Sequence, residues 1–222
     1  MEGMLFRPFM DTPEKVDVPR VYAHLRNPLF AWAGVRPVFA QHTLDEDRAL
    51  QAWVRDKKVV VEIGVAEGGS AVTLNCSMSD TGDLYLVDPY HLSRFGWINS
   101  PKRAAHAAIR RSSRALRKRV QVVWIEDFSS SAVRSWNRPI DFLFLDGDHD
   151  AHSVLRDWED WHRFVVPKGI VAFHDARVFR GGWPRDSDGP VRIVNSLFRE
   201  QKLNDWQIID EVHSLVFLEK FR

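Results

Sequence analysis

A chain of 222 residues that is 45% hydrophobic and 27% charged is long enough to bury one sizeable core and too evenly mixed to be fibrous or disordered. Its 31 Lys and Arg against 30 Asp and Glu leave a net charge of +1, which excludes a whole-molecule field that would draw it to nucleic acid or an anionic membrane. The single cysteine, Cys76, excludes an intramolecular disulfide, and no run approaches the ~20 apolar residues of a membrane span, so a soluble protein of a reducing, cytoplasmic compartment is expected.

Residues 1–42 carry Pro8, Pro13, Pro19, Pro28 and Pro37 interleaved with Phe6, Phe9, Tyr22, Phe30, Trp32 and Phe39. Proline at that density breaks any long helix, and so many aromatics are costly to expose. The expectation is an arm that packs on the main domain, on a second copy in a homodimer, or over the site as a lid. The main domain is then 43–222. Thr43, with Glu46 three residues on, is a capping-box start for a helix running to Arg55, with Leu44, Leu50, Ala52 and Trp53 on its apolar face.

From there short apolar runs alternate with helical patterns. Strands are expected at Lys58 to Gly64, Asp83 to Asp88, Val120 to Ile125, Ile140 to Asp146 and Gly169 to His174. Between them lie helices at Ser70 to Ser77, Lys102 to Arg117, Ser129 to Trp136 and Ala151 to Phe164, the last with Val154, Trp158, Trp161 and Val165 on one stripe. Cys76 falls on an apolar helix and reads as a buried thiol. Alternation of this kind means a mostly parallel sheet with helices on both faces. After a helix at about Val191 to Gln201, strands at Trp206 to Ile209 and Ser214 to Glu219 are joined by only Asp210 to His213. A connection that short permits only an antiparallel hairpin.

The run VVVEIGVAEGGSAV closes a strand on Glu62, turns through Gly64, Ala66, Gly68 and Gly69, and restarts as a helix at Ser70. A strand that ends in small residues and feeds a helix N-terminus can offer backbone N–H groups to a nucleotide-like ligand. Asp88 follows at about the spacing of a ribose-binding carboxylate. A nicotinamide enzyme is disfavoured, because none of Tyr22, Tyr85 and Tyr90 has Lys four residues on. A phosphate-binding P-loop is excluded by the lack of Gly-Lys-Ser/Thr in the turn.

VVEIGVAEGGS resembles the E-x-G-x-x-x-G signature of class I S-adenosylmethionine-dependent methyltransferases. LYLVDPY resembles their second acidic strand end. The segment IDFLFLDGDHDAHSVLRDWEDWHRFVVPKGIVAFHDAR resembles the DGDH and HD segments of bacterial small-molecule O-methyltransferases of methyltransferase family 24. The likeness runs over about residues 43–219 and implies a Rossmann-like fold, a mostly parallel seven-stranded sheet closed by the C-terminal hairpin. It further implies that Glu62 holds the methionine ammonium side and that the turn Gly64, Ala66, Gly68, Gly69 and Ser70 lies against methionine and sugar. By the same resemblance Asp88 takes the ribose hydroxyls, and Glu126, Asp127, Phe128 and Ser129 border the adenine.

Asp146 ends the fourth expected strand and Asp175 follows the fifth. In this topology those strands are neighbours at about 4.8 Å, so both carboxylates can converge on one small cation, such as Mg2+, or on one substrate hydroxyl. In catechol-type relatives the resembling metal positions are Asp, Asp and Asn. The third is here Ala176, which cannot ligate. His149 or His174 could complete the site or act directly as base, since imidazole titrates near neutral pH. Strand alternation would send His174 and Asp175 to opposite faces, which favours His149 as base and His174 as a packing or supporting residue. Asp148 is expected to orient its neighbours, and Asp150 to cap the next helix.

Loops at Tyr90 to Pro101 (His91, Arg94, Phe95, Trp97) and Ala176 to Pro190 (Arg177, Phe179, Trp183, Arg185, Asp186, Asp188) leave the same sheet edge and suit substrate walls. The helix from Lys102 is basic throughout, with Ala105, Ile109, Ser112 and Leu116 expected inward, and reads as a solvated face with phosphate tracking as the alternative. The expectation is O-methylation of a small-molecule acceptor by S-adenosylmethionine. An RNA or nitrogen methyltransferase, and a non-catalytic cofactor-binding regulatory or assembly protein, are the alternatives.

Overall fold

The computed structural model describes residues 27–90 and 99–222. Phe6, Phe9 and Tyr22 of the expected arm, and His91, Arg94, Phe95 and Trp97 of the first loop, lie outside the described residues. Strands β1 (Val59–Ile63), β2 (Asp83–Val87), β3 (Gln121–Ile125), β4 (Ile140–Leu145) and β5 (Val165–Phe173) are parallel, and β6 (Trp206–Val212) and β7 (Leu215–Lys220) form an antiparallel hairpin. The described residues form one seven-stranded sheet in the order β3-β2-β1-β4-β5-β7-β6.

Side-chain alternation splits the strand residues between two cores, which is why the strands read as unbroken apolar runs. Val61, Ile63, Leu143, Leu145, Val171 and Phe173 face one layer with Trp158 and Trp161, and Val60, Phe142, Phe144, Ile170 and Ala172 face the other with Leu50 and Leu74. Helix α1 (Pro28–Ala33) packs on α4 (Ser100–Leu116), which with α2 (Leu44–Val54) and α3 (Gly69–Ser77) belongs to the second layer, while α5 (Ser129–Ala132) and α6 (Ala151–Trp161) belong to the first. The strand order reverses between β1 and β4. The crevice above that point, at the carboxyl ends of the strands, is where ligands bind in open α/β sheets.

Several expectations shift for local reasons. Thr43 and Glu46 do form the capping box of α2, but the buried side of that helix carries Glu46, Asp47, Ala49, Leu50 and Val54, while Ala52 is exposed. Glu46 is inside because its carboxylate accepts the Thr43 N–H at 2.6 Å and both the N–H and hydroxyl of Ser214, at 2.7 and 2.6 Å. On α4 the inward face is a run of alanines with Ile109, and Leu116, in the final turn before Arg117 enters the left-handed region, is half exposed. Cys76 is half-buried rather than enclosed.

Strand β5 begins at Val165, ahead of Gly169, with a register shift against β4 between Ile140 and Phe142. Strand β6 runs on to Val212, past the expected end at Ile209, because a bulge between Ile208 and Asp210 resets its pairing with β7. Asp210 accepts the Trp53 indole N–H at 2.8 Å across to α2. The hairpin turn is therefore only His213–Ser214.

Candidate functional site

The turn after β1 is built by packing as much as by any ligand. Gly64 and Gly68 hold φ of +87° and +85°, which side chains rarely adopt. A Cβ on Gly64 would strike the Asp146 carbonyl, one on Gly68 would meet Ala105, and one on Gly69 would meet Phe39 and Ala40. The small residues therefore let β1, β4 and α4 close together. The backbone donors are also engaged: Val65 and Ala66 both give their N–H to one Asp88 oxygen at 2.9 Å, and Tyr90 gives its own to the other at 2.7 Å. Those amides clamp Asp88 at the end of β2, with the residue half-buried, while Gly64 and Gly68 donate to the Val87 and Val65 carbonyls.

Glu62 is fully buried at the penultimate position of β1. The Ser70 hydroxyl donates to one of its oxygens, and the other has no hydrogen-bond partner among the described residues. Burial pushes its carboxyl well above the usual range, Ser70 pulls it back, and repulsion from Asp146 and Asp88 adds to the rise. Three carboxylates thus crowd the crevice over β2, β1 and β4. A positive charge placed among them would relieve both the repulsion and the stranded oxygen.

Sheet register delivers the second cluster. Leu145 on β4 pairs with Phe173 on β5, and the His174 N–H continues the ladder to the Leu145 carbonyl at 3.0 Å. Asp146 and His174 therefore emerge side by side, with Nδ1 of His174 2.9 Å from the Asp146 carboxylate. Alternation would have turned Asp175 away from His174. Instead β5 ends at Phe173 and Asp175 takes a left-handed φ of 52°, which swings its carboxylate back to 3.5 Å from His174. The histidine expected to lie apart joins the cluster.

His149 approaches from the DGDH turn, its Nε2 3.4 Å from the other Asp175 oxygen. Asp146, His149 and Asp175 each present a ligand atom, all within 4.8 Å of one another. Ala176 is buried and supplies no donor. Burial opposes charge on His174, but the Asp146 and Asp175 carboxylates outweigh it and lift the imidazole to about 10. Burial also raises the Asp175 carboxyl, against the pull of His174. Asp148 accepts the N–H of His149 at 2.7 Å and so sets the turn, and Asp150 caps α6 as expected.

One residue of the second loop has an unforeseen contact: Trp183 donates its indole N–H to Asp175, and its ring meets Phe179 edge-on. Phe179 in turn stacks on His213 in the hairpin turn. Sequence gave the presence of these rings, but nothing in their spacing points Trp183 at Asp175. A cavity of about 440 Å³ opens beside the cluster, lined by Gly64, Val87, Phe128, Ser129, Gly147 and Asp157. Phe128, which lines it, and Asp127 beside it stand exposed after β3. Asp157 was not anticipated. It accepts the Ser129 hydroxyl, and burial above all holds its carboxyl at about 6.

Among the described residues no helix is long and apolar enough to cross a membrane. A family model described as a methyltransferase domain matches residues 61–176, more than half of the chain. An uncharacterized protein, y4gI, of Sinorhizobium fredii is 28% identical over 179 residues, 76% of this chain, which spans 18% of that relative's length. The fold is similar to the O-methyltransferase TomG from Streptomyces achromogenes, involved in tomaymycin synthesis and solved with S-adenosylmethionine (TM-score 0.59, 16% identity, 88% of each chain). It is similar also to an O-methyltransferase from Bacillus cereus solved with S-adenosylhomocysteine (0.58, 16%, 87% of this chain and 89% of the other) and to an rRNA methylase from Streptococcus thermophilus (0.50, 15%, 80% and 95%).

Proposed function

The chain belongs to the methyltransferase-domain family of class I S-adenosylmethionine-dependent enzymes, and from that premise we propose that it methylates a hydroxyl of a small-molecule acceptor at the Asp146, His149 and Asp175 cluster. The observation that carries this reading is the meeting of those three side chains next to the acidic crevice over β1 and β2. Residues 43–222 are read as the catalytic domain and 1–42 as its arm.

The crevice fits the cofactor on charge. Glu62, Asp88 and Asp146 repel one another, and the unpartnered Glu62 oxygen lacks a donor. The ammonium and sulfonium of S-adenosylmethionine answer both needs, and the bound cofactor supplies an electrophilic methyl that is transferred with loss of a neutral thioether. Glu62 and Ser70 would face the methionine end, Asp88 would accept from the ribose hydroxyls through its remaining lone pairs, and Asp127 and Phe128 would border the adenine. Asp146 and Asp175 hold the acceptor hydroxyl in line, His149 takes its proton as the oxygen–carbon bond forms, and buried His174 keeps the two aspartates together. The acceptor loses one proton and gains one methyl.

A second reading is favoured by the spacing of the cluster. Two carboxylates and an imidazole within 4.8 Å form a donor set for a divalent cation such as Mg2+ or a borderline metal, with His149 standing where Ala176 cannot. A cation there would acidify the acceptor hydroxyl. The test is turnover of isotopically labelled cofactor against a panel of phenolic, sugar and acidic acceptors, followed by mass spectrometry with and without a chelator. Loss of at least about 100-fold in kcat for Asp146→Asn and Asp175→Asn is expected. Chelator-insensitive turnover that falls in His149→Gln selects the direct base, whereas chelator sensitivity restored by added metal selects the cation. Cofactor binding without turnover of any acceptor, unaltered in both aspartate variants, would overturn the proposal and favour a non-catalytic role.

A further inference from the structure

On the far side of β3 a cavity of about 670 Å³ opens between that edge strand and α4, and its lining includes Trp32, Lys102, Arg103, His106, Arg110 and Trp124. It belongs to neither the acidic crevice nor the aspartate cluster, and its chemistry is the opposite of theirs. Helix α4 carries no acidic residue. Lys102 is neutralised by Glu126 at 2.6 Å, but Arg103 and Arg110 have no acidic partner among the described residues. Arg103 lies over the Trp32 ring at 5.1 Å, which holds its guanidinium in place.

Rings supply the rest of the wall. His106 stacks on Trp124 with centroids 3.7 Å apart and planes within 13°, and Trp32 stands half exposed. The His106 Nε2 is buried and has no hydrogen-bond partner among the described residues. Burial and the nearby Lys102 hold that imidazole below its ordinary pKa, so at neutral pH it is an uncharged ring with one unused polar atom. The cavity thus joins two exposed guanidiniums, which lack an acidic partner among the described residues, to an aromatic wall.

We propose that this cavity binds a planar ring compound carrying a phosphate monoester, of which a nucleoside monophosphate is the type. The phosphate, with a charge near −2 at neutral pH, matches Arg103 and Arg110 and gains the fork geometry that guanidinium offers. The ring packs against the half-exposed Trp32 and the edges of the His106–Trp124 stack. A volume of this size exceeds what a bare phosphate needs. A polynucleotide track is the less suited occupant: further along, Arg111 is committed to the Ala31 and Trp32 carbonyls and Lys118, past the end of α4, to Asp80, while Arg114 lies outside the cavity. The site takes one phosphate.

The experiment is isothermal titration of the full chain with adenosine monophosphate, adenosine, ribose 5-phosphate and a short single-stranded oligoadenylate, each with and without saturating S-adenosylhomocysteine. The proposal expects one-to-one binding of the monophosphate that survives S-adenosylhomocysteine, with adenosine and ribose 5-phosphate each at least about tenfold weaker. Arg103→Gln and Arg110→Gln should each weaken it by about tenfold, while Arg114→Gln, outside the cavity, leaves it unchanged. All three substitutions are on the exposed side of the helix, and circular dichroism verifies that the variants are folded. Competition by S-adenosylhomocysteine, indifference to the Arg103 and Arg110 substitutions, or binding of the oligonucleotide alone would each overturn it. None of these outcomes depends on methyl transfer.

Discussion

Asp157 offers a quantitative test of the electrostatics at the strand ends. Its carboxyl is lifted from an ordinary 3.8 to about 6, first by burial, with Asp160 and Asp148 adding to the rise and the Ser129 hydroxyl opposing it. For an acid whose pKa is raised on folding, the native chain holds its proton over a range where the unfolded chain has released it. Stability therefore falls as pH climbs from about 4 to about 6, and the deficit is complete above that. A rise of about two units corresponds to about 3 kcal/mol at most, and the solvent that reaches this carboxylate reduces it to about 1–2 kcal/mol.

Asp157→Asn removes the charge and keeps an oxygen that can accept from Ser129. The variant should be more stable than the parent chain by about 1–2 kcal/mol at pH 7.5, with the gain shrinking towards zero as pH falls to 4. Urea denaturation of both proteins at half-unit pH intervals measures the difference, in which titrating groups distant from Asp157 cancel. A variant less stable at pH 7.5, or a difference flat with pH, would refute the assigned environment of Asp157.

Gly64→Ala must accommodate a Cβ against the Asp146 carbonyl at a φ of +87°, and should cost at least about 3 kcal/mol or prevent folding, read as loss of soluble protein or of the cooperative urea transition. Trp183→Phe keeps the packing on Phe179 and removes the N–H to Asp175, so thermal unfolding should report a loss of about 1–2 kcal/mol; no change would mean that the bond is not populated in solution. Glu46→Ala strands the Thr43 N–H and both Ser214 donors in a buried junction, and a chemical denaturation midpoint should record a loss of about 3 kcal/mol or more, well above the roughly 1 kcal/mol typical of removing a single cap.

The sheet was readable because its signals are local. Val59–Ile63, Ile140–Leu145 and their neighbours are apolar runs bounded by turn residues, and the short step from Asp210 to His213 leaves only a hairpin. The meeting of Asp146 with Asp175 was readable too, since adjacency of β4 and β5 follows from the connection rules. What escaped depends on single backbone angles and long reaches. One left-handed residue, Asp175, decides whether His174 joins the cluster, and although aspartate enters that region more readily than most residues, nothing in the sequence marks this one out. Trp183 and Asp157 reach their partners across loops and helices whose relative placement is set by tertiary packing. The glycines of the β1 turn stand out in the sequence, but it does not tell that a Cβ on them would meet Asp146, Ala105 and Ala40, which tertiary packing brings there.

That last point changes what the turn says about function. If the glycines are required by packing and Val65 and Ala66 give their amides to Asp88, the loop contributes chiefly by fixing an acceptor in place. Recognition then passes to the carboxylates that surround it. Glu62, Asp157 and Asp175 are all held above their ordinary pKa by burial, and each is more favourable to the fold in its neutral form than in its charged one. A chain shaped by stability alone would gain from neutral residues at these places. Under the proposed function, their gathering around the carboxyl ends of β1, β4 and β5, with Asp157 reaching in from α6, serves to draw in and desolvate a positively charged molecule, and a sulfonium that also carries an ammonium is such a molecule.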